Sequence, residues 1–315
     1  MKSPLVANLV LLVPILAWGL PIPFMDGFFD RWDPVFSSML RYAMALPILW
    51  LIWRLTRARP VPLKPAWVGW GPIIKCGGIG LIGFTVTYSY ALDYMHPLTA
   101  AVLSAAAPVV ATLVARCFFA QPLGEGIGLA VLLAVIGGVL CTVDFDQVEG
   151  TGFSLRGGEP LLILSTAIWS WYSLETQRVL PGVPQLQATL LTFVPTVIFL
   201  PPLWLLLYGL GLASSAPPVG GWRGEDVGVL LWVTLGGIAA ATVAWNLGVR
   251  MIGVVVASLY LNLIPLATLL TAVLLGIEPR PLQLVGGAVV LAGVVQAQLR
   301  LLKKHRLAGT QREAA

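Results

Sequence analysis

Ionisable side chains inside long apolar runs are candidate chemistry, because lipid tolerates few of them. Arg41 lies about two helical turns inside the run spanning 35–53, where a guanidinium can take a substrate carboxylate, bind carbonyls or snorkel to the surface. Lys75 and Arg116 lie near run ends, where anchoring at the lipid boundary explains them; Glu175, and Asp93 with His96, could titrate. No carboxylate falls at the middle of a run, so no proton-coupling acid is visible. The two histidines, His96 and His305, are too far apart in the chain pattern to share a metal or a triad, and no HExxH, GxSxG or Walker sequence occurs. No enzyme activity, cofactor, metal site or ATP-driven pumping is expected.

The uncharged polar residues recur at helical spacing. Ser258, Asn262 and Pro265 share one face, Thr242 and Asn246 flank Trp245, and Thr85, Tyr88 and Ser89 line another face. Trp18, Tyr88, Trp169, Trp245 and Tyr260 lie deeper than Trp67, Trp70 and Trp222, which read as interfacial belt residues. The expected substrate-binding set is therefore Trp18, Arg41, Tyr88, Trp169, Trp245, Asn246, Tyr260 and Asn262. An aromatic wall with a few hydrogen-bonding groups suits a small amphipathic solute. The plainer alternative for the asparagines is a bond between helices, stabilising by about 0.6–2 kcal/mol.

The elements that hold these residues follow from composition. Of 315 residues, 58% are apolar and 10% charged, against roughly 25% charged in a soluble domain. The apolar residues form ten runs: 6–24, 35–53, 71–92, 98–119, 126–143, 161–177, 186–207, 227–249, 254–275 and 282–299. Continuous runs of this length predict transmembrane helices, not the alternating strands of a barrel. The first run lacks a small-x-small cleavage site and is expected to stay as a helix. With the N-terminus inside, thirteen Lys and Arg residues are cytoplasmic and only Arg31, Arg156, Arg223 and Arg280 are outside, which obeys the positive-inside rule and predicts both termini in the cytoplasm. The charge of +5 and pI near 9.3 are spread between and after the runs, so no nucleic-acid partner is expected.

An internal repeat organises the runs. One offset of 157 residues sets Pro108 on Pro265, Pro122 on Pro279, Gln121 on Glu278 and Tyr88 on Trp245, and a looser match sets Trp18 on Trp169. Five helices per half means that the halves face opposite ways. The expected fold is an all-α membrane protein of ten helices in two inverted five-helix repeats, 1–150 and 151–300, with a basic cytoplasmic tail at 301–315. Pro108 and Pro265 are expected to kink the fourth and ninth helices at mid-depth.

These residues resemble the EamA-type branch of the drug/metabolite transporter superfamily over almost the whole chain. Ala17-Trp18-Gly19 looks like that family's first-helix signature, Arg41-Tyr42 its Arg-aromatic pair, and Ala91 to Pro122 with Gly248 to Glu278 its repeated core. Gly137-Gly138 and Gly293 fit its glycine-rich fifth and tenth helices. Gln121 departs from the glutamate usual at the exit of helix four. The resemblance implies a secondary transporter of the inner membrane working by alternating access, commonly an exporter of amino acids, here aromatic ones, or of related metabolites. An integral membrane enzyme acting on lipid-linked groups and a scaffold without a solute path are the other classes weighed. An enzyme would need clustered acids or histidines at one face, and a scaffold has no use for repeated prolines beside polar residues.

Overall fold

A computed structural model describes residues 4–21, 28–56, 62–94, 103–104, 106–121, 127–142, 157–214, 220–276 and 281–313. His96, Pro122, Glu278 and Pro279 lie outside the described residues. Among the described residues the chain is helical throughout, without strands. The helices are α1 (Pro4–Gly19), α2 (Phe28–Arg31), α3 (Pro34–Leu55), α4 (Trp70–Lys75), α5 (Gly83–Tyr94), α6 (Ala107–Phe119) and α7 (Ile127–Thr142). There follow α8 (Glu159–Val179), α9 (Gln185–Gly209), α10 (Gly224–Trp232), α11 (Ala241–Ile252), α12 (Val254–Leu261), α13 (Ile264–Leu274) and α14 (Pro281–Glu313).

Pro34–Leu55, Gln185–Gly209 and Gly224–Ile252 are long and apolar enough to cross a membrane by themselves, and five shorter apolar helices accompany them. The distribution of polarity is that of a protein in lipid. Leu113, Phe118, Leu132, Ile198, Leu205 and Leu206 are exposed, while Ser37, Ser165, Ser173, Thr189, Thr192, Thr196 and Asn246 are buried. Water would invert that arrangement; hydrocarbon selects it, because backbone and side-chain polar groups must find partners inside.

Two rods are irregular in the same place. A π-helical segment, π1 (Cys76–Ile82), joins α4 to α5, and a second, π2 (Val233–Ala240), joins α10 to α11. Their first residues are 157 apart, the offset that relates Pro108 to Pro265. The helix breaks keep the same register: α6 starts at Ala107 and α13 at Ile264, again 157 apart. Each proline is the second residue of its helix, so the expected kinks are instead complete interruptions. The reason is elementary: proline has no N–H to donate to the preceding turn and fits the first turn of a helix, where none is needed.

Partners are exchanged between the two parts of the chain. The π1–α5 stretch packs on α8, with π1 also on α9, whereas π2–α11 packs on α1, with π2 also on α3. In the same manner α6 lies on α8, while α12 and α13 lie on α1. Helices α3 with α9, α6 with α12, and α7 with α14 close the assembly. Glycine makes the last of these contacts possible: a Cβ on Gly137 would meet Val290 N at 2.6 Å and Gly286 O at 2.7 Å. Beyond the tenth run, α14 continues to Glu313. The basic residues of the tail are good helix formers and no proline interrupts them, so the backbone stays helical past the apolar stretch.

Candidate functional site

The end of α1 is fixed on three sides. Trp232 Nε1 donates to Ala17 O (3.2 Å), Trp18 Nε1 donates to Gly237 O of π2 (2.8 Å), and Thr268 Oγ1 of α13 donates to Gly19 O (3.1 Å). A Cβ at Gly19 would sit 2.6 Å from Ala267 Cβ and 2.8 Å from Ile264 O, so only glycine lets α1 reach the point where α13 resumes. The Ala-Trp-Gly sequence is thus a joint between α1, the π2 coil and the helix break.

From this joint the Trp18 indole meets Trp169 of α8, centroids 6.0 Å apart at 74°, and Trp245 of α11 at 6.1 Å. Trp169 and Trp245 are also 6.1 Å apart, closing a triangle of indoles from three helices. Trp245 Nε1 donates to Ser173 Oγ (2.8 Å), and that hydroxyl donates onward to Trp169 O (2.9 Å), which fixes the orientation of both rings. Asn246 points to the other side of α11: Nδ2 donates to Tyr172 OH at 3.4 Å, and Tyr172 pairs with Thr192 of α9 at 3.0 Å. Asn246 Oδ1 is buried with no protein partner among the described residues.

A second arm of rings leads from the triangle to Arg41. Phe84 lies 4.9 Å from Trp169 and stacks on Tyr88 at 5.4 Å, and Tyr88 is 39% exposed, leaving this stretch of the wall open. Tyr88 and Tyr42 are ionisable groups within electrostatic reach of Arg41. Arg41 itself turns back on α3, Nε donating to Ser37 O (3.2 Å) and Nη2 to Ser38 Oγ.

The remaining two expected residues are not brought to the cluster. Tyr260 OH donates to Asn8 Oδ1 (2.8 Å), near the opposite end of α1 from Trp18, and Asn262 Nδ2 donates to Ala134 O of α7 (2.9 Å) at the end of α12. Both bond helix to helix. Pro108 and Pro265 stand in the first turns of α6 and α13, and only the latter borders the joint at Gly19. Residues that sequence reasoning passed over are Phe84, Tyr172 and Ser173. Phe84 is four residues before Tyr88 on the same helical face and was findable from spacing; Ser173 had no signal, since its role depends on which helix lies opposite.

Near one end of α8 is a charge cluster. Glu175 Oε1 accepts from Arg178 at 2.8 Å and Lys75 at 3.4 Å, so Lys75 does more than anchor a helix end. The Glu175 side chain is 3% exposed, whereas Lys75 and Arg178 are 47% and 64% exposed. Water can solvate the two cations if the acid is removed, but cannot solvate the acid if they are. The double variant Lys75→Met/Arg178→Met is therefore expected to lose on the order of 3 kcal/mol of stability, well beyond Glu175→Gln. Melting in detergent reads the difference; equal shifts would refute the asymmetry.

An apolar exterior, a polar interior and a ring-lined junction of several helices define a membrane-embedded carrier. The EamA-like transporter family matches residues 5–143 and 156–297, and the chain belongs to that family: it is an integral membrane transporter, not an enzyme. It is similar to the "Uncharacterized transporter YyaM" of Bacillus subtilis (strain 168), 24% identical over 279 residues covering 86% of this chain and 85% of the relative. It is also similar to the "Probable terminal-alkyne amino-acid exporter" of Streptantibioticus cattleyicolor, 24% identical over 307 residues covering 95% and 96%. A protein of known crystal structure shares the fold with a TM-score of 0.72 at 19% identity, covering 96% of this chain and 99% of that one.

Proposed function

We propose that the chain is a secondary transporter of the inner membrane that exports amino acids, aromatic ones among them, or related metabolites by alternating access. The observation that carries this reading is the indole triangle: Trp18, Trp169 and Trp245 come from three helices of the two sequence halves, so relative motion of the halves opens or closes the wall they form. The exporter of Streptantibioticus cattleyicolor supports the substrate class. The substrate-binding set is Trp18, Tyr88, Trp169, Trp245 and Arg41, extended by Phe84, with Asn246 on the neighbouring polar seam. Tyr260 and Asn262 hold helices together.

In this reading the fold comprises ten membrane-spanning helices in two inverted halves, 1–150 and 151–300. The matching π segments, the matching helix restarts and the exchanged partners support it. Both termini, with the 301–315 tail, are cytoplasmic. Purified protein in liposomes is expected to move labelled phenylalanine, tryptophan or leucine faster than empty liposomes, and no excess flux for any of them would defeat the export reading. Membrane-impermeant thiol labelling of cysteines placed at positions 2 and 312 is expected to fail from outside intact cells; labelling at one end alone would contradict an even number of spans.

A further inference from the structure

Buried charges need opposite charges, and the accounting in this protein leaves one over. Asp33 accepts from Phe36 N and Ser214 N at the start of α3, Glu159 from Gly157 N, Glu175 from Lys75 and Arg178, and Asp226 from Arg223 N and Arg31. Each of these buried acids is thereby engaged away from the ring wall. Arg41, inside α3, has only the neutral Ser37 carbonyl and Ser38 hydroxyl, and no ion pair among the described residues. A guanidinium carries five N–H donors in a planar fork. Two are used, which leaves three, including both on Nη1, for a bidentate partner.

Resting on the transporter reading, we propose that this site recognises its substrate by the carboxylate alone: Arg41 pairs with the carboxylate of an aromatic monocarboxylate whose ring lies along Tyr88, Phe84 and Trp169. No described carboxylate stands at the wall to pair with an ammonium, so the amine of an amino acid is dispensable. Acids without an amine are ligands as good as amino acids, and amines without an acid are not.

The test uses the full chain, with tryptophan fluorescence reading binding at the indoles and liposome flux reading transport. The probes are L-phenylalanine, 3-phenylpropionate and L-phenylalaninamide. Expected for the native chain are affinities for the first two within about threefold, and at least about tenfold weaker binding of the amide. Arg41→Gln is expected to remove that preference, and Arg41→Lys to keep its order with weaker binding, since a point charge lacks the fork. An amide that binds as tightly as the acids, a preference that survives Arg41→Gln, or no binding of either acid overturns the proposal. Acids that bind without any flux would defeat the transport reading and leave this one standing. Equal flux of acid and amide would do the reverse.

Discussion

Gly137→Leu is expected to yield no properly folded protein from detergent, while Gly128→Leu on the same helix yields a native-like sample. At Gly137 the atoms that a Cβ would strike, Val290 N and Gly286 O, belong to the α14 backbone and cannot swing away as a side chain tip would. At Gly128 nothing stands within 4 Å. On the α14 side, Gly293 brings its Cβ position within 3.0 Å of Ala130 O, so the two helices meet backbone to backbone at both ends of the contact. A leucine must push them apart and forfeit the contact over its length, a cost of about 3 kcal/mol or more against a total stability of roughly 5–15 kcal/mol. Size-exclusion profiles and melting curves of the two variants decide the matter, and matching profiles would show that the contact is looser than described.

Loss of transport without loss of fold is expected for Trp18→Ala and Trp169→Ala. Each opens the indole triangle, and labelled phenylalanine flux is expected to fall at least about tenfold, the effect of removing roughly 1.4 kcal/mol of differential binding. Trp245 is a poorer probe, since at 1% exposure its truncation leaves a cavity that costs about 3–5 kcal/mol by itself. Trp18→Phe separates two roles, because it keeps a ring in the wall but removes the donor to Gly237 O. Tyr260→Phe is the contrasting control: it deletes one bond, to Asn8, and is expected to leave flux within about twofold while lowering stability by about 1 kcal/mol. A Tyr260→Phe protein as inactive as Trp18→Ala would move the site toward α12.

Much of this was legible in the residues because lipid imposes simple rules. Apolar runs became helices, and Trp18, Trp169 and Trp245 were singled out as deep aromatics paired by the repeat. What sequence spacing cannot supply is the identity of the opposing helix. Asn246 and Asn262 share the same description, a buried amide on a helical face, yet one faces Tyr172 of α8 and the other a carbonyl of α7. The prolines were placed correctly but their consequence was underestimated, because a kink and a full break differ only in whether the next turn finds other partners. The π segments left no legible mark. Both lie in glycine-containing stretches read as close helix contacts, and that reading is also true: Gly77 has no room for a Cβ beside Pro195 and Thr192, and Gly80 none beside Tyr172.

Those wide coils give the molecule an unusual sensitivity to chain length. A π turn holds one residue more than an α turn. Dropping a single residue between Cys76 and Ile82 would let ordinary helical bonding run through, yet it would swing everything beyond by about 100° relative to α4. Phe84 would leave Trp169, and Tyr88 would face elsewhere, with neither residue replaced. The corresponding loss between Val233 and Ala240 would turn Trp245 away from Ser173. Relatives that gain or lose one amino acid in these stretches should therefore differ in what they accept even where their wall-forming side chains are identical.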